Sequence, residues 1–138
     1  MKVQSYLFFD GRCEEALEFY RGALGAEVTM LMRFKENPDP PKEGCAPPPG
    51  SEDKIMHCEF RVGDTTVLAS DGCCEGQASF QGFGLALSVP DEGTAEQAFN
   101  ALADGGQVQM PLAKTFFSPS FGMVADRFGV MWMVLVKA

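Results

Sequence analysis

YLFFDGRCEEALEFYRGALG, residues 6–25, is the stretch whose reading decides the fold. Tyr6 to Phe9 continues a β-branched and aromatic run that opens at Val3, and Asp10-Gly11 stops it, so Val3 to Phe9 is predicted as a strand followed by a turn. Past the turn the apolar spacing becomes helical. Cys13, Ala16, Leu17, Phe19, Tyr20 and Leu24 share one stripe, while Glu14, Glu15 and Glu18 lie toward the positive N-terminal end. Gly25 closes the predicted helix, Cys13 to Leu24, as its C-cap.

Working outward, Ala26 to Phe34 is predicted as a strand. Residues 36–53 then collect Pro38, Pro40, Pro41, Pro47, Pro48 and Pro49, which makes a long loop, either a lid or a disordered insertion. Lys54 to Val62 alternates again, Gly63-Asp64 turns tightly, and Thr65 to Ser70 completes a hairpin. After a polar, glycine-rich stretch the order starts over. Phe83 to Val89 reads as a strand, Thr94 to Ala103 as a helix closed by Gly105-Gly106, and Gln107 to Leu112, Met123 to Phe128 and Val130 to Val136 as strands.

The recurrence can be checked residue by residue. Leu7 falls on Leu87, Phe19 on Phe99, Gly25 on Gly105, Val28 on Val108 and Met30 on Met110; farther along, Phe60-Arg61-Val62-Gly63 is set on Asp126-Arg127-Phe128-Gly129. One helix covers one face of a βαβββ sheet and leaves the other needing a partner, which the second unit supplies. The expectation is an α+β fold of paired βαβββ modules, their curved, mostly antiparallel strands enclosing a cleft as the natural ligand site. A single domain over 1–138 would hold module one, 1–71, a linker, 72–82, and module two, 83–138.

Composition narrows the function. At 138 residues and 46% hydrophobic content the chain can bury a core without staples. A net charge of -8, with lysines and arginines scattered singly, argues against nucleic acid as a partner. Met1 to Phe9 does not resemble a signal peptide, and Val130 to Val136 is too short to cross a bilayer, so neither export nor a membrane is expected. Cys13, Cys45, Cys58, Cys73 and Cys74 show no C-x-x-C spacing and are expected to be reduced thiols in the cytoplasm. A zinc set of Cys45, His57, Cys73 and Cys74 would have no recognised ligand spacing.

The motifs YLFFDG at Tyr6 to Gly11, EALEFY at Glu15 to Tyr20, VGDTTVLASD at Val62 to Asp71 and DRFGVMW at Asp126 to Trp132 resemble the PhnB-like branch of the vicinal oxygen chelate superfamily. That superfamily includes glyoxalase I, extradiol dioxygenases and the bleomycin and fosfomycin resistance proteins. The resemblance implies the glyoxalase/bleomycin resistance fold, frequent dimers, and a divalent metal held by His, Glu or Gln on four cleft strands. Those positions fall here on Ser5 (or Gln4 after a one-residue slip), Leu68, Gly84 and Met133. The neighbours Val67, Ala69, Phe83, Leu85, Trp132 and Val134 do not coordinate metals either, so no metal and no cofactor are expected. Arg127 and Val130 also replace the proline and histidine of the family's D-P-F-G-H-x-W turn. Some relatives carry the name of a demethylubiquinone methyltransferase, yet no Rossmann-like strand and glycine loop is present to hold S-adenosylmethionine.

His57, the only histidine, and Glu59 fall on one face of Lys54 to Val62, opposite Met56, Cys58, Phe60 and Val62. A carboxylate beside an imidazole suits a general base or a ligand clamp, and His57 and Glu59 are the candidate catalytic pair. The candidate ligand contacts are Ser5, Leu7, Phe9, His57, Glu59, Met123, Met131 and Met133, with the methionines giving a soft apolar wall. Three functions stay open: a metal-free binder of a small apolar or aromatic molecule; a metal-dependent or metal-free lyase, isomerase or dioxygenase-type enzyme; and a structural module with a filled cleft. A homodimer through open strand edges accompanies each of them.

Overall fold

The structure is a computed structural model, and it describes residues 1–38, 48–73 and 78–137. It divides into two compact units, Met1–Ala78 and Ser79–Ala138. The first contains β1 (Tyr6–Phe8), α1 (Cys13–Leu24), β2 (Glu27–Arg33), a single 3-10 turn (Phe34–Glu36), β3 (Ile55–Val62) and β4 (Thr65–Ser70). Its sheet runs β1-β4-β3-β2, with β1 parallel to β4 and the other neighbours antiparallel.

The second unit contains β5 (Leu85–Val89), α2 (Glu92–Ala103), β6 (Gln107–Ala113), β7 (Phe121–Ala125) and β8 (Met131–Val136). Its order, β5-β8-β7-β6, repeats the first, again with one parallel pair. The α+β class and the doubled βαβββ order are therefore as the sequence implies. The pairing corrects the late part of the repeat. Val28 pairs Phe60 and Val108 pairs Val124, so Phe60 corresponds to Val124 and not to Asp126. The cause is local: Asp126 accepts the amides of Phe128 at 2.9 Å and Val130 at 3.1 Å, which turns the chain and ends β7 at Ala125 instead of Phe128.

Helix α1 has the predicted bounds because its end is specified by the backbone. Gly25, at φ +66, donates to the Arg21 carbonyl while Ala26 donates to that of Tyr20, a left-handed cap that a side chain resists. Helix α2 starts two residues earlier than the apolar spacing suggests, since the Asp91 carboxylate accepts the Thr94 amide at 2.7 Å. Of the proline loop, 39–47 lies outside the described residues, so the lid expectation cannot be placed on it; its ends are tied by Phe34 to Lys54, Lys35 to Glu52 and the Lys35–Asp53 ion pair. No helix among the described residues is long and apolar enough to cross a membrane.

The first unit's core lies between α1 and one face of its sheet. Tyr20 stacks on Phe60 with ring centroids 5.6 Å apart, Phe9 lies 6.2 Å from Tyr20, and Cys13 Sγ meets Cys58 Sγ at 3.6 Å. Leu7, Val67 and Ala69 are buried on the same side. Asp71 closes this assembly. Its carboxylate accepts the amides of Gly11 at 2.7 Å, Cys13 at 2.8 Å and Ile55 at 2.8 Å, joining the end of β4 to the α1 N-terminus and the start of β3. Asp71 is 1% exposed and its bonds to Cys13 and Ile55 are buried, so these two amides would be left without water in its absence.

Two outcomes follow from the core. Asp71→Ala leaves two buried amides unsatisfied and frees a third, and should lower stability by at least about 2 kcal/mol in urea unfolding, as a lower midpoint at unchanged slope. The Cys13 thiol is pushed up from its ordinary value of 9.0 by its hydrogen bond with Cys58 and then by burial. The unfolded chain releases that proton first, so stability is complete below this value and falls as the pH rises beyond it. Urea midpoints measured from pH 7 to pH 10.5 should show the fall, and Cys13→Ala should flatten it.

Candidate functional site

Strand β3 carries two chemistries because its side chains alternate between faces. Cys58 and Phe60 meet α1, as described, which turns His57 and Glu59 to the helix-free face. Pairing extends that face across the sheet. Met30, Glu59, Leu68 and Tyr6 form one row over β2, β3, β4 and β1, and Met32 pairs His57 in the next.

Within it, the Tyr6 hydroxyl lies 2.9 Å from His57 Nδ1, and His57 Nε2 lies 3.7 Å from Glu59 Oε2. Both nitrogens thus face a named oxygen, and the side chains of His57 and Glu59 remain 29% and 38% exposed. The Tyr6 ring lies 5.5 Å from the imidazole and 4.8 Å from Phe8, itself an exposed aromatic. Burial pushes the Tyr6 phenol above its ordinary value of 10.0, against a hydrogen bond from Ser70 that pulls the other way. Tyr6 is therefore a neutral phenol at physiological pH.

Of the residues singled out from the sequence, His57 and Glu59 are brought together. Leu7 and Phe9 are not with them: at 0% and 1% exposure they belong to the α1 core, because β1 presents its even-numbered side chains, Tyr6 and Phe8, to the other face. Ser5 precedes β1, and its carbonyl accepts the Leu68 amide at 3.0 Å. Tyr6, missed in the sequence, was signalled by the repeat itself. Leu7 recurs as Leu87, a recurrence that marks a core position and sends its neighbour outward.

Met123, Met131 and Met133 lie in the second unit. Gly122 faces α2, where an added Cβ would fall 2.8 Å from Phe99 Cε2, so Met123 points away from that helix. Met110, Met123, Met133 and Ala86 make the row equivalent to Met30, Glu59, Leu68 and Tyr6, and it holds no titratable group. Arg61 and Arg127, the two hairpin arginines, are taken by Glu27 at 2.7 Å and by Asp104 at 3.4 Å.

Among the metal positions that the resemblance implies, Leu68 pairs with Tyr6 and not Ser5, while Met133 pairs with Ala86 and not Gly84. Among the described residues no group of three or more His, Cys, Asp or Glu is placed so that it could hold a metal ion. Cys13 and Cys58 are free thiols, whereas Cys73 is disulfide-bonded, against the expectation of reduced thiols throughout. A disulfide sulfur is no zinc ligand, and Cys45 and Cys74 lie outside the described residues.

This fold, two βαβββ units with a mixed four-stranded sheet each, is that of the vicinal oxygen chelate superfamily, and the chain is of its PhnB-like branch. Residues 1–135 match the family described as 3-demethylubiquinone-9 3-methyltransferase, and the chain belongs to that family. It is similar to protein YjdN of Escherichia coli (strain K12), at 32% identity over 140 residues, 99% of this chain and 95% of YjdN. The solved structure of protein PA1353 from Pseudomonas aeruginosa is 39% identical with a TM-score of 0.84, over 99% of this chain and 98% of that one. The putative 3-demethylubiquinone-9 3-methyltransferase, PhnB protein, from Bacillus cereus is 26% identical with a TM-score of 0.80, over 99% and 100%. The fosfomycin resistance protein of Listeria monocytogenes, 9% identical over 100% of this chain and 93% of that one with a TM-score of 0.65, shares the fold alone.

Proposed function

We propose that this chain binds a small apolar or aromatic molecule without a metal, with Tyr6, His57 and Glu59 as its polar contacts. The observation that carries the reading is the 2.9 Å Tyr6–His57 hydrogen bond on a helix-free face that also carries Phe8, Met30, Met32 and Leu68. A few oriented polar groups in an apolar surround are what small-molecule sites are made of. One imidazole and one carboxylate fall short of the three or four nitrogen and oxygen donors that a divalent metal takes. The duplicated sequence adds the expectation of an inter-module cleft, with Met123, Met131 and Met133 as soft contacts from the second unit.

Methyl transfer, which the family's description names, finds no support in the α1 N-terminus. Its Gly11 and Cys13 amides are held by Asp71, which fills the place where an anionic cofactor group would dock. A filled, purely structural face is disfavoured by Phe8, which is 55% exposed. A homodimer in the cytoplasm belongs to the same proposal; the free thiols Cys13 and Cys58 support that compartment and the Cys73 disulfide weighs against it.

Thermal shift of the full chain against a library of aromatic and amphipathic compounds, alongside elemental analysis, checks this reading. Binders at a hundred times their dissociation constant should stabilise the fold by about 2.7 kcal/mol, and Tyr6→Phe and His57→Ala should each weaken them. No stabilising compound, or one tightly held Zn, Ni, Mn or Fe per chain, would contradict it.

A further inference from the structure

We propose that Cys13 and Cys58 form a redox modification site, closed to a disulfide by exchange with a small organic disulfide such as glutathione disulfide. The site is independent of ligand binding and lies on the opposite face of the same sheet. Both residues are free thiols, and their sulfurs meet at 3.6 Å. A disulfide holds its sulfurs at about 2.05 Å, so closure asks for an approach of about 1.6 Å, shared between two side chains. Cys13 is the first residue of α1 and Cys58 lies within β3, two elements packed directly against each other.

Burial decides which oxidised form the fold holds. Both residues are 0% exposed. The nucleophile in exchange is a thiolate, and the Cys13 thiol is pushed up by its hydrogen bond with Cys58 and by burial, with the Asp71 carboxylate adding to the rise. In the closed fold Cys13 therefore stays protonated, and exchange runs through molecules in which α1 has lifted locally from β3. A mixed disulfide with glutathione would put a tripeptide into a close-packed core. An internal disulfide adds no atoms and removes two hydrogens, so reclosing of the helix selects it.

The exchange balances in two steps. One cysteine, its proton given to water, bonds a sulfur of the small disulfide; the S–S bond there breaks, and the leaving thiolate takes up a proton. The other cysteine, likewise deprotonated, bonds the first cysteine's sulfur and expels the second small thiol. Two protein thiols are oxidised, one small disulfide is reduced to two thiols, and no further oxidant enters. The new bond joins residues 45 positions apart, so it restricts the unfolded chain. It also ties α1 to the residue of β3 that stands between His57 and Glu59.

The test incubates the full chain with excess glutathione disulfide, quenches in acid, caps the remaining thiols and maps the proteolytic peptides by mass. The peptides of Cys13 and Cys58 should appear linked, two hydrogens lighter than their sum. The linked chain should also unfold at a higher urea midpoint than before treatment. Cys58→Ala treated alike should show no rise, which separates this bond from any made at Cys73; should that variant misfold, the wild-type peptide map decides. Recovery of Cys13 and Cys58 as capped thiols, or bonded to glutathione or to another cysteine, overturns the proposal and leaves the pair as core packing. A lower urea midpoint for the linked chain overturns it as well, because the bond would then strain the closed fold.

Discussion

Three backbone amides on one buried carboxylate set the geometry of the first unit. Asp71 ties Gly11 and Cys13 to Ile55, so the turn after β1, the first residue of α1 and the first residue of β3 are placed together. A carboxylate at a helix N-terminus also meets the positive end of the helix dipole. Since Ile55 anchors β3, the same contact sets which of its residues face α1, and His57 and Glu59 follow on the other side. A slip of one residue would bury the imidazole among Tyr20 and Leu17.

The two units share a scaffold and differ in what they do with it. Asp126 holds the β7–β8 turn by two amides and takes the Trp132 indole at 2.9 Å, all three within its own hairpin, whereas the Asp71 contacts reach from β4 to α1 and β3. The rows that correspond, Tyr6 with Leu68, Glu59 and Met30 against Ala86 with Met133, Met123 and Met110, place the polar chemistry in the first unit. The second unit's row, which holds no titratable group, is suited to apolar contact. The first unit's face holds an imidazole with an oxygen facing each nitrogen.

Much of the architecture was legible because it rests on local signals. The Asp10-Gly11 stop, the helical stripe from Cys13 to Leu24 and the cap at Gly25 act within a few residues of themselves, and the repeat supplied the rest of the element order. The face assignment of β3 was legible from His57 onward, since alternation with Cys58 and Phe60 separates His57 and Glu59 from the α1 core, but Ile55, which the same alternation sets beside His57, is fully buried. Three things were not legible. The end of β7 depends on the Asp126 carboxylate folding back on its own turn, which alternation does not encode. The face of β1 depends on a parallel partner, β4, far along the chain, and without that register Leu7 and Phe9 looked as suited to the site as Tyr6. The clasp by Asp71 joins groups separated by up to sixty positions, and a lone aspartate after a strand announces no such role.

The most direct test is a nuclear Overhauser measurement on the ring protons of His57, assigned without ambiguity because the chain has one histidine. Cross-peaks to the Tyr6 and Phe8 rings are the predicted result. Cross-peaks to Tyr20 or Leu17 of α1 would place the imidazole on the opposite face and contradict the account.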